Sequence, residues 1–274
     1  YRRQRQMCIR DRDYPRTLGG NRHGNLLRRM GEEITMDRSS IDSLQRDSEW
    51  QGLHALVVGL GVAGFAAADA LIHLGARVTV IDANESEKAR ERATILEILD
   101  ADVRFGDDEH LPEGVELVVL SPGVSPLAPI VVAARNADLP IWGELELAWR
   151  LRDPAHQAPW LVITGTNGKT TTTLMLESIL QTSGRRSVAA GNIGRSLVEV
   201  MMDPQAWDAL AVEIGAPQLP FVESMSPQAS VCLNIAPDHI DLFGSFEAYR
   251  AAKAKIYANT QVCLLYTSPS PRDL

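Results

Sequence analysis

The 274-residue chain has room for two domains of ordinary size, and with 45% hydrophobic and 23% charged residues it has the make-up of a globular protein able to bury real cores. Its apolar runs, such as residues 55–58 and 117–120, are far too short to cross a bilayer, and no apolar signal-peptide core opens it. The net charge of −8 is uneven, with nine arginines against four acids in residues 1–35 and 18 basic against 31 acidic residues after that; so acidic a body argues against nucleic acid as the main partner, because phosphate binding needs a cationic excess.

Residues 1–35 are Arg- and Gly-rich and lack apolar periodicity. Met36, followed by a polar lead into the first convincing strand, reads as a natural start. The strings RRQRQMCIRD (2–11) and LLYTSPSPRD (264–273) resemble translated sequencing-adapter read-through; the alternative is a disordered arm and tail. Residues 1–35 and 264–274 are therefore set apart as a non-native or disordered head and tail. The three cysteines, Cys8, Cys232 and Cys263, are odd in number and far apart, which suits a reducing cytosol and no metal-ligand spacing.

The first unit is expected over residues 36–157. Residues 54–59 form a short apolar run ending in glycine, a buried strand. Gly59-Leu60-Gly61-Val62-Ala63-Gly64 follows, then an Ala-rich helix over 65–74 closed by Gly75, then a β-branched strand over 77–81 ending at Asp82. Glycines allow a tight turn and close approach to a phosphate, the helix N-terminus offers unpaired N–H groups, and Asp82 is spaced to bond a ribose hydroxyl. Alone, this pattern reads as an NAD-binding Rossmann unit or as a turn in which glycine serves packing only. A buried strand over 115–120 runs into Ser121-Pro122-Gly123-Val124, at the sheet edge where open α/β sheets take ligands. A helix over 126–136, a short strand over 139–141 and a helix over 143–150 follow, with Glu144 and Glu146 as complements to the last helix's dipole. Residues 152–159, with two prolines, read as the interdomain linker.

The second unit is expected over residues 158–263. A strand over 160–163 leads into Gly165-Thr166-Asn167-Gly168-Lys169-Thr170-Thr171 and a helix over 172–182. That is a shortened P-loop, with Ile163 where the strict pattern has glycine. Backbone N–H groups of residues 165–171 would cradle phosphates, Lys169 reach the β/γ-phosphates and the Thr170 hydroxyl ligate Mg²⁺. A strand over 187–190 precedes Gly191-Asn192-Ile193-Gly194, by itself only a turn, and a strand over 210–213 ends at Glu213, a carboxylate able to hold Mg²⁺ or simply a solvated acid. A strand over 231–235 leads into Asp238-His239-Ile240-Asp241, beside a P-loop a candidate for metal or phosphate chemistry. An amphipathic helix over 246–259 carries Lys253 and Lys255, which as residue types are usually solvated.

Taken together and in this order, GTNGKTT, GNIG, the strand-end Glu213, DHID and YRAAKAKIY resemble the Mur ligases, and GLGVAGFAAADAL with SPGV resembles their D-glutamate-adding branch. The resemblance covers residues 50–263. It implies an α/β chain with a Rossmann-like N-terminal domain that binds UDP rather than NAD, followed by a P-loop-type parallel-sheet ATPase domain that is incomplete, with a C-terminal ligase domain missing and the fragment itself inactive. The implied activity is ATP-dependent amide ligation of D-glutamate to UDP-N-acetylmuramoyl-L-alanine through an acyl phosphate, in peptidoglycan precursor synthesis, by a cytoplasmic monomer with no nucleic-acid or membrane partner.

By match, Val62, Ala63, Asp82, Ser121, Pro122, Gly123 and Asn192 would bind the UDP substrate, and residues 165–171 ATP. Lys169, Asn192, His239 and Lys253 would be catalytic, and Thr170, Glu213, His239 and Lys253 would serve two Mg²⁺ ions, with Lys253 carbamylated. One departure stands out: Gly215-Ala216-Pro217 replaces the family's usual Ser-Ser-Phe, which puts hydrogen bonds at the metal–phosphate edge in doubt. The competing readings are an NAD-dependent oxidoreductase and a nucleotide-binding module without catalysis.

Overall fold

A computed structural model describes residues 36–107, 109–238 and 240–263, which lie in one compact unit. The expectations for residues 1–35 and 264–274 fall outside the described residues. Two parallel five-stranded sheets succeed one another along the chain.

In the first, α1 (Arg38–Asp42) leads to β1 (His54–Val58), α2 (Val62–His73), β2 (Arg77–Asp82), α3 (Glu87–Ile98), β3 (Asp102–Phe105), β4 (Leu117–Leu120), α4 (Pro129–Asn136), β5 (Ile141–Gly143) and α5 (Glu144–Arg150). The strand order β3-β2-β1-β4-β5 is doubly wound and reverses between β1 and β4. Strands β1 and β4 are buried at every position, as their uninterrupted apolar runs require of strands covered on both faces.

The second sheet runs β6 (Trp160–Thr164), α6 (Lys169–Thr182), β7 (Ser187–Gly191), α7 (Leu197–Met202), β8 (Ala209–Glu213), β9 (Ala229–Cys232), α8 (Ile240–Phe243), α9 (Phe246–Ala254) and β10 (Val262–Cys263), in the order β10-β9-β6-β8-β7. The P-loop strand β6 is central, flanked by β8 and β9.

Several expectations are corrected. Helix α2 begins at Val62, three residues early, because Gly61 already serves as its N-cap. Helix α6 likewise begins at Lys169, on a left-handed Gly168 at φ 84°. The strand expected over 139–141 lies at Ile141–Gly143, and that over 231–235 at Ala229–Cys232, each where it can pair with its neighbour. The helix over 246–259 stops at Ala254 and continues as a 3-10 turn, Lys255–Tyr257. Helix α3 and strand β3 were not among the expected elements; α3 buries only Ala89, Ala93 and Leu96, and β3 alternates over just four residues.

One apolar core runs through both sheets, joining Trp142, Leu145 and Trp149 of the first to Trp160, Leu197 and Val198 of the second. Trp149 and Trp160 meet edge-on with centroids 5.1 Å apart. Helix α5 is buried along its whole length. Helix α6 is the opposite: only Thr173 is buried, and Leu174, Met175 and Ile179 stand exposed. No helix among the described residues is long and apolar enough to cross a membrane.

Candidate functional site

The glycine turn after β1 is built by a close approach. A Cβ on Gly64 would lie 1.8 Å from the Gly59 carbonyl oxygen, so only glycine lets α2 start against that turn. Ser121, across the β1/β4 switch point, donates its hydroxyl to the same carbonyl at 2.7 Å. Asp82 accepts the backbone N–H of Leu60 with one carboxylate oxygen and that of Asn84 with the other, so it shapes the turn as well as facing the space above it. That space is a cavity of about 550 Å³ at the carboxyl ends of β1, β2 and β4. It is lined by Val62, Ala63, Asp82, Ser121, Pro122 and Gly123 from the first sheet and by Gly191 and Asn192 from the second. Doubly wound sheets take ligands at this switch point.

Asn192 ties the cavity to the second sheet. Its backbone N–H donates to the Glu213 carbonyl and its Nδ2 to Glu213 Oε1, both at 2.9 Å. Glu213 is 1% exposed, and its other oxygen, Oε2, is buried with no hydrogen-bond partner among the described residues. An orphaned anionic oxygen at a strand end fits a cation, directly or through water.

Beside Glu213 lies the P-loop. Ile163 is the register partner of Glu213, and Thr164 Oγ1 donates to the Ile214 carbonyl. The loop is latched by a residue that the sequence reading did not single out, Asn234. Its Oδ1 accepts the N–H groups of Thr166 and Asn167 at 3.1 and 2.9 Å, and its Nδ2 donates to Asn167 O at 3.0 Å. The only signal in the sequence was an Asn just past β9, which becomes informative once β9 is known to pair with β6. Lys169 Nζ donates to Thr166 O at 3.0 Å. Thr170 and Thr171, in the first turn of α6, are exposed.

Lys253 departs from the usual solvated lysine. It is 1% exposed, because α9 packs under the P-loop, where Nζ donates to Gly165 O at 2.9 Å and lies 5.0 Å from the Tyr249 ring centroid. Burial pulls its pKa down to about 8; the nearby Lys169 cation adds to the shift, and Cys232 and Asp238 oppose it. Lys255 stays exposed, donating to Pro220 O. Lys169, Glu213 and Lys253 thus gather at the carboxyl ends of β6 and β8, and Asn192 links them to the cavity. His239 lies outside the described residues. Among the described residues no three His, Cys, Asp or Glu side chains form a ready metal cluster.

The Gly215-Ala216-Pro217 segment folds as a 3-10 turn, Ala216–Phe221, in which Gln218 Oε1 accepts the Gly215 N–H at 2.8 Å. A Cβ at Gly215 would come within 3.2 Å of Asn192 Oδ1. Glu144 and Glu146 lie in the first turn of α5, where their charge faces the helix N-terminus, and both are also buried and bonded to the second sheet's connections.

Two family models match the chain: "Mur ligase MurD-like, N-terminal domain" over residues 53–143 and "Mur ligase middle domain" over residues 163–266. Among similar proteins, the UDP-N-acetylmuramoylalanine–D-glutamate ligase of Streptomyces avermitilis is 49% identical over 219 residues, covering 80% of this chain and 47% of that protein. The protein of the same name from Thermobifida fusca is 46% identical over 229 residues, covering 82% and 49%. The chain therefore spans about half the length of the relatives it matches. A crystal structure of UDP-N-acetylmuramate:L-alanyl-gamma-D-glutamyl-meso-diaminopimelate ligase from Neisseria meningitides aligns with a TM-score of 0.48 at 22% identity, covering 77% of this chain and 71% of that one.

Proposed function

The chain belongs to the Mur ligase family, and from that premise we propose that it supplies the UDP- and ATP-binding parts of an ATP-dependent amide ligase that adds D-glutamate to UDP-N-acetylmuramoyl-L-alanine in the cytoplasm. The observation that carries the reading is the continuity of the site: the cavity above the Gly59–Gly64 turn reaches Asn192, and Asn192 bonds Glu213 beside the P-loop. A substrate with its uridine diphosphate over the α2 N-terminus can extend its carboxylate toward the phosphates of ATP. The oxidoreductase alternative finds no support, because both matched models are Mur ligase domains and that chemistry gives Lys253 and Glu213 no task.

A carboxylate is a poor acceptor for an amine because oxide would have to leave. In the proposed reaction a substrate carboxylate oxygen attacks the γ-phosphorus of ATP, and ADP leaves. The amine of D-glutamate then adds to the acyl phosphate carbon, loses a proton, and inorganic phosphate departs. The protein's share is positioning and charge neutralisation. Residues 165–171 cradle the phosphates, with Lys169 turning from Thr166 O to the transferred phosphoryl group. Thr170, Glu213, His239 and Lys253 would hold two Mg²⁺ ions, which would neutralise phosphate charge. The lowered pKa of Lys253 supports its carbamylation: the neutral amine would add to carbon dioxide and release a proton, replacing a buried ammonium with an anionic group able to hold a cation.

The test joins the chain to the C-terminal portion of the Streptomyces avermitilis relative and offers UDP-N-acetylmuramoyl-L-alanine, MgATP and single amino acids. Phosphate release that depends on D-glutamate is the expected result. Release with a different amino acid moves the assignment within the family, and binding of NADH in place of UDP overturns it.

A further inference from the structure

The proposed reaction uses none of the three charged groups buried on α5. Glu144, Glu146 and Arg150 are 2%, 0% and 4% exposed, on the helix that closes the first sheet. Two carboxylates at such depth have to be held by donors, and most of those donors come from the second sheet's connections. Glu144 Oε1 accepts the Ser196 hydroxyl at 2.7 Å and the Val198 N–H at 3.0 Å. Both residues open α7, directly after the Gly191–Gly194 loop. Glu146 pairs with Arg150 at 2.8 Å and accepts the Glu223 N–H at 2.8 Å together with the N–H and hydroxyl of Ser224. Those two residues follow the 3-10 turn that leaves β8 after Glu213.

We propose that Glu144 and Glu146 are positioning residues: from the first sheet they hold the second-sheet connections that follow the Asn192 loop and the Glu213 strand end, and so set where the reacting end of the substrate meets the metal and phosphate groups. The inference rests on the functional reading above. Its physical basis is register. Gly191 and Asn192 line a cavity built otherwise by the first sheet, yet the strand that leads to them, β7, lies at the far edge of the second sheet. Apolar packing between the sheets is tolerant of sliding. Hydrogen bonds from a buried carboxylate are directional and fix the loop to a fraction of an ångström. Glu144 meets the Asn192 loop four residues past its tip, and Glu146 holds the turn whose start, Gly215, abuts Asn192 Oδ1.

The test is a double-mutant cycle on the whole chain, read by titration with UDP-N-acetylmuramoyl-L-alanine and, separately, with UDP alone. Glu144→Ala is expected to weaken binding of the full substrate about tenfold, the size of one lost hydrogen bond to a charged group, and to leave UDP binding unchanged. Asn192→Ala is expected to weaken binding of the full substrate by a similar factor, and the double variant to add nothing further to that loss. Glu144→Gln keeps an oxygen where Ser196 and Val198 need it and is expected to restore binding. Should Glu144→Ala not fold, Ser196→Ala removes one of the same bonds and carries the same expectation. Additive losses in the double variant, or substrate and UDP affinities falling together, overturn the positioning role alone. An unaltered chain that binds neither UDP nor the substrate overturns the functional reading, and this inference with it.

Discussion

Replacing Gly64 with alanine sets two effects against each other. Alanine favours a helix over glycine by about 1 kcal/mol, largely because it leaves the unfolded chain less backbone freedom to lose. Against this, the new Cβ would sit 1.8 Å from Gly59 O and 2.4 Å from Ser121 Oγ, where real Cβ contacts stay beyond 3.0 Å. The obstructing atom is backbone and cannot rotate away, so α2 would have to move off the turn by at least about 1.2 Å. A gap of that size strips contacts from Ala67, Ala68 and Leu71, all buried on α2, and forfeits up to half of each contact's dispersion energy. Overpacking of this kind costs about 1–3 kcal/mol, and a backbone obstruction puts this site at the upper end, so the loss exceeds a gain of about 1 kcal/mol by up to about 2 kcal/mol. The same displacement opens the cavity floor, so UDP affinity is expected to fall with stability. Gly61→Ala is the control, since a Cβ there meets nothing within 4 Å. The assays are urea denaturation and UDP titration. A Gly64→Ala chain as stable as Gly61→Ala, with UDP binding intact, would refute the close-packing account.

Asn234→Ala frees the N–H and carbonyl of Asn167, while Thr166 N–H keeps the Asn234 backbone carbonyl, and MgADP affinity is expected to drop about tenfold while UDP affinity holds, measured by paired titrations. Glu213→Gln removes the charge from an oxygen that no donor among the described residues satisfies; the rise in thermal midpoint that Mg²⁺ gives the unaltered chain with ADP should disappear. For Lys253, with a folded pKa of about 8 against 10.5 for an ordinary lysine, the unfolded chain binds more protons between those values. The contribution of this group to stability therefore rises with pH across the window, and Lys253→Met should flatten that rise in denaturation curves taken at pH 8 and 10. Carbamylation with ¹³C-bicarbonate, followed by NMR, should climb as pH passes 8; an onset only near 10.5 would mean that the amine is solvated.

The glycine turn and the P-loop were legible because their geometry is written locally. A strand, a bend that glycine permits and a helix N-terminus occupy a dozen consecutive residues, and the chemistry of backbone N–H groups facing an anion follows from that alone. The same holds for the doubly wound character of the first sheet, announced by buried apolar strands alternating with helices. Strand β3 and helix α3 were not read in advance, since β3 offers only a four-residue alternation and α3 buries little more than two alanines and Leu96 on an otherwise exposed, charged helix.

Tertiary structure alone decided the rest. Lys253 reads as a surface lysine in its helix, and its pKa drops because the P-loop, some 88 residues earlier in the chain, removes water from it. Glu144 and Glu146 look like ordinary first-turn acids until α7 and the segment after Phe221 close over them. Asn192 gains its place only when the edge of one sheet meets the switch point of the other. Backbone conformation responds to neighbours along the chain and was therefore open to a sequence reading. Desolvation and Coulomb interactions respond to neighbours in space, so they waited on the packing of the two sheets.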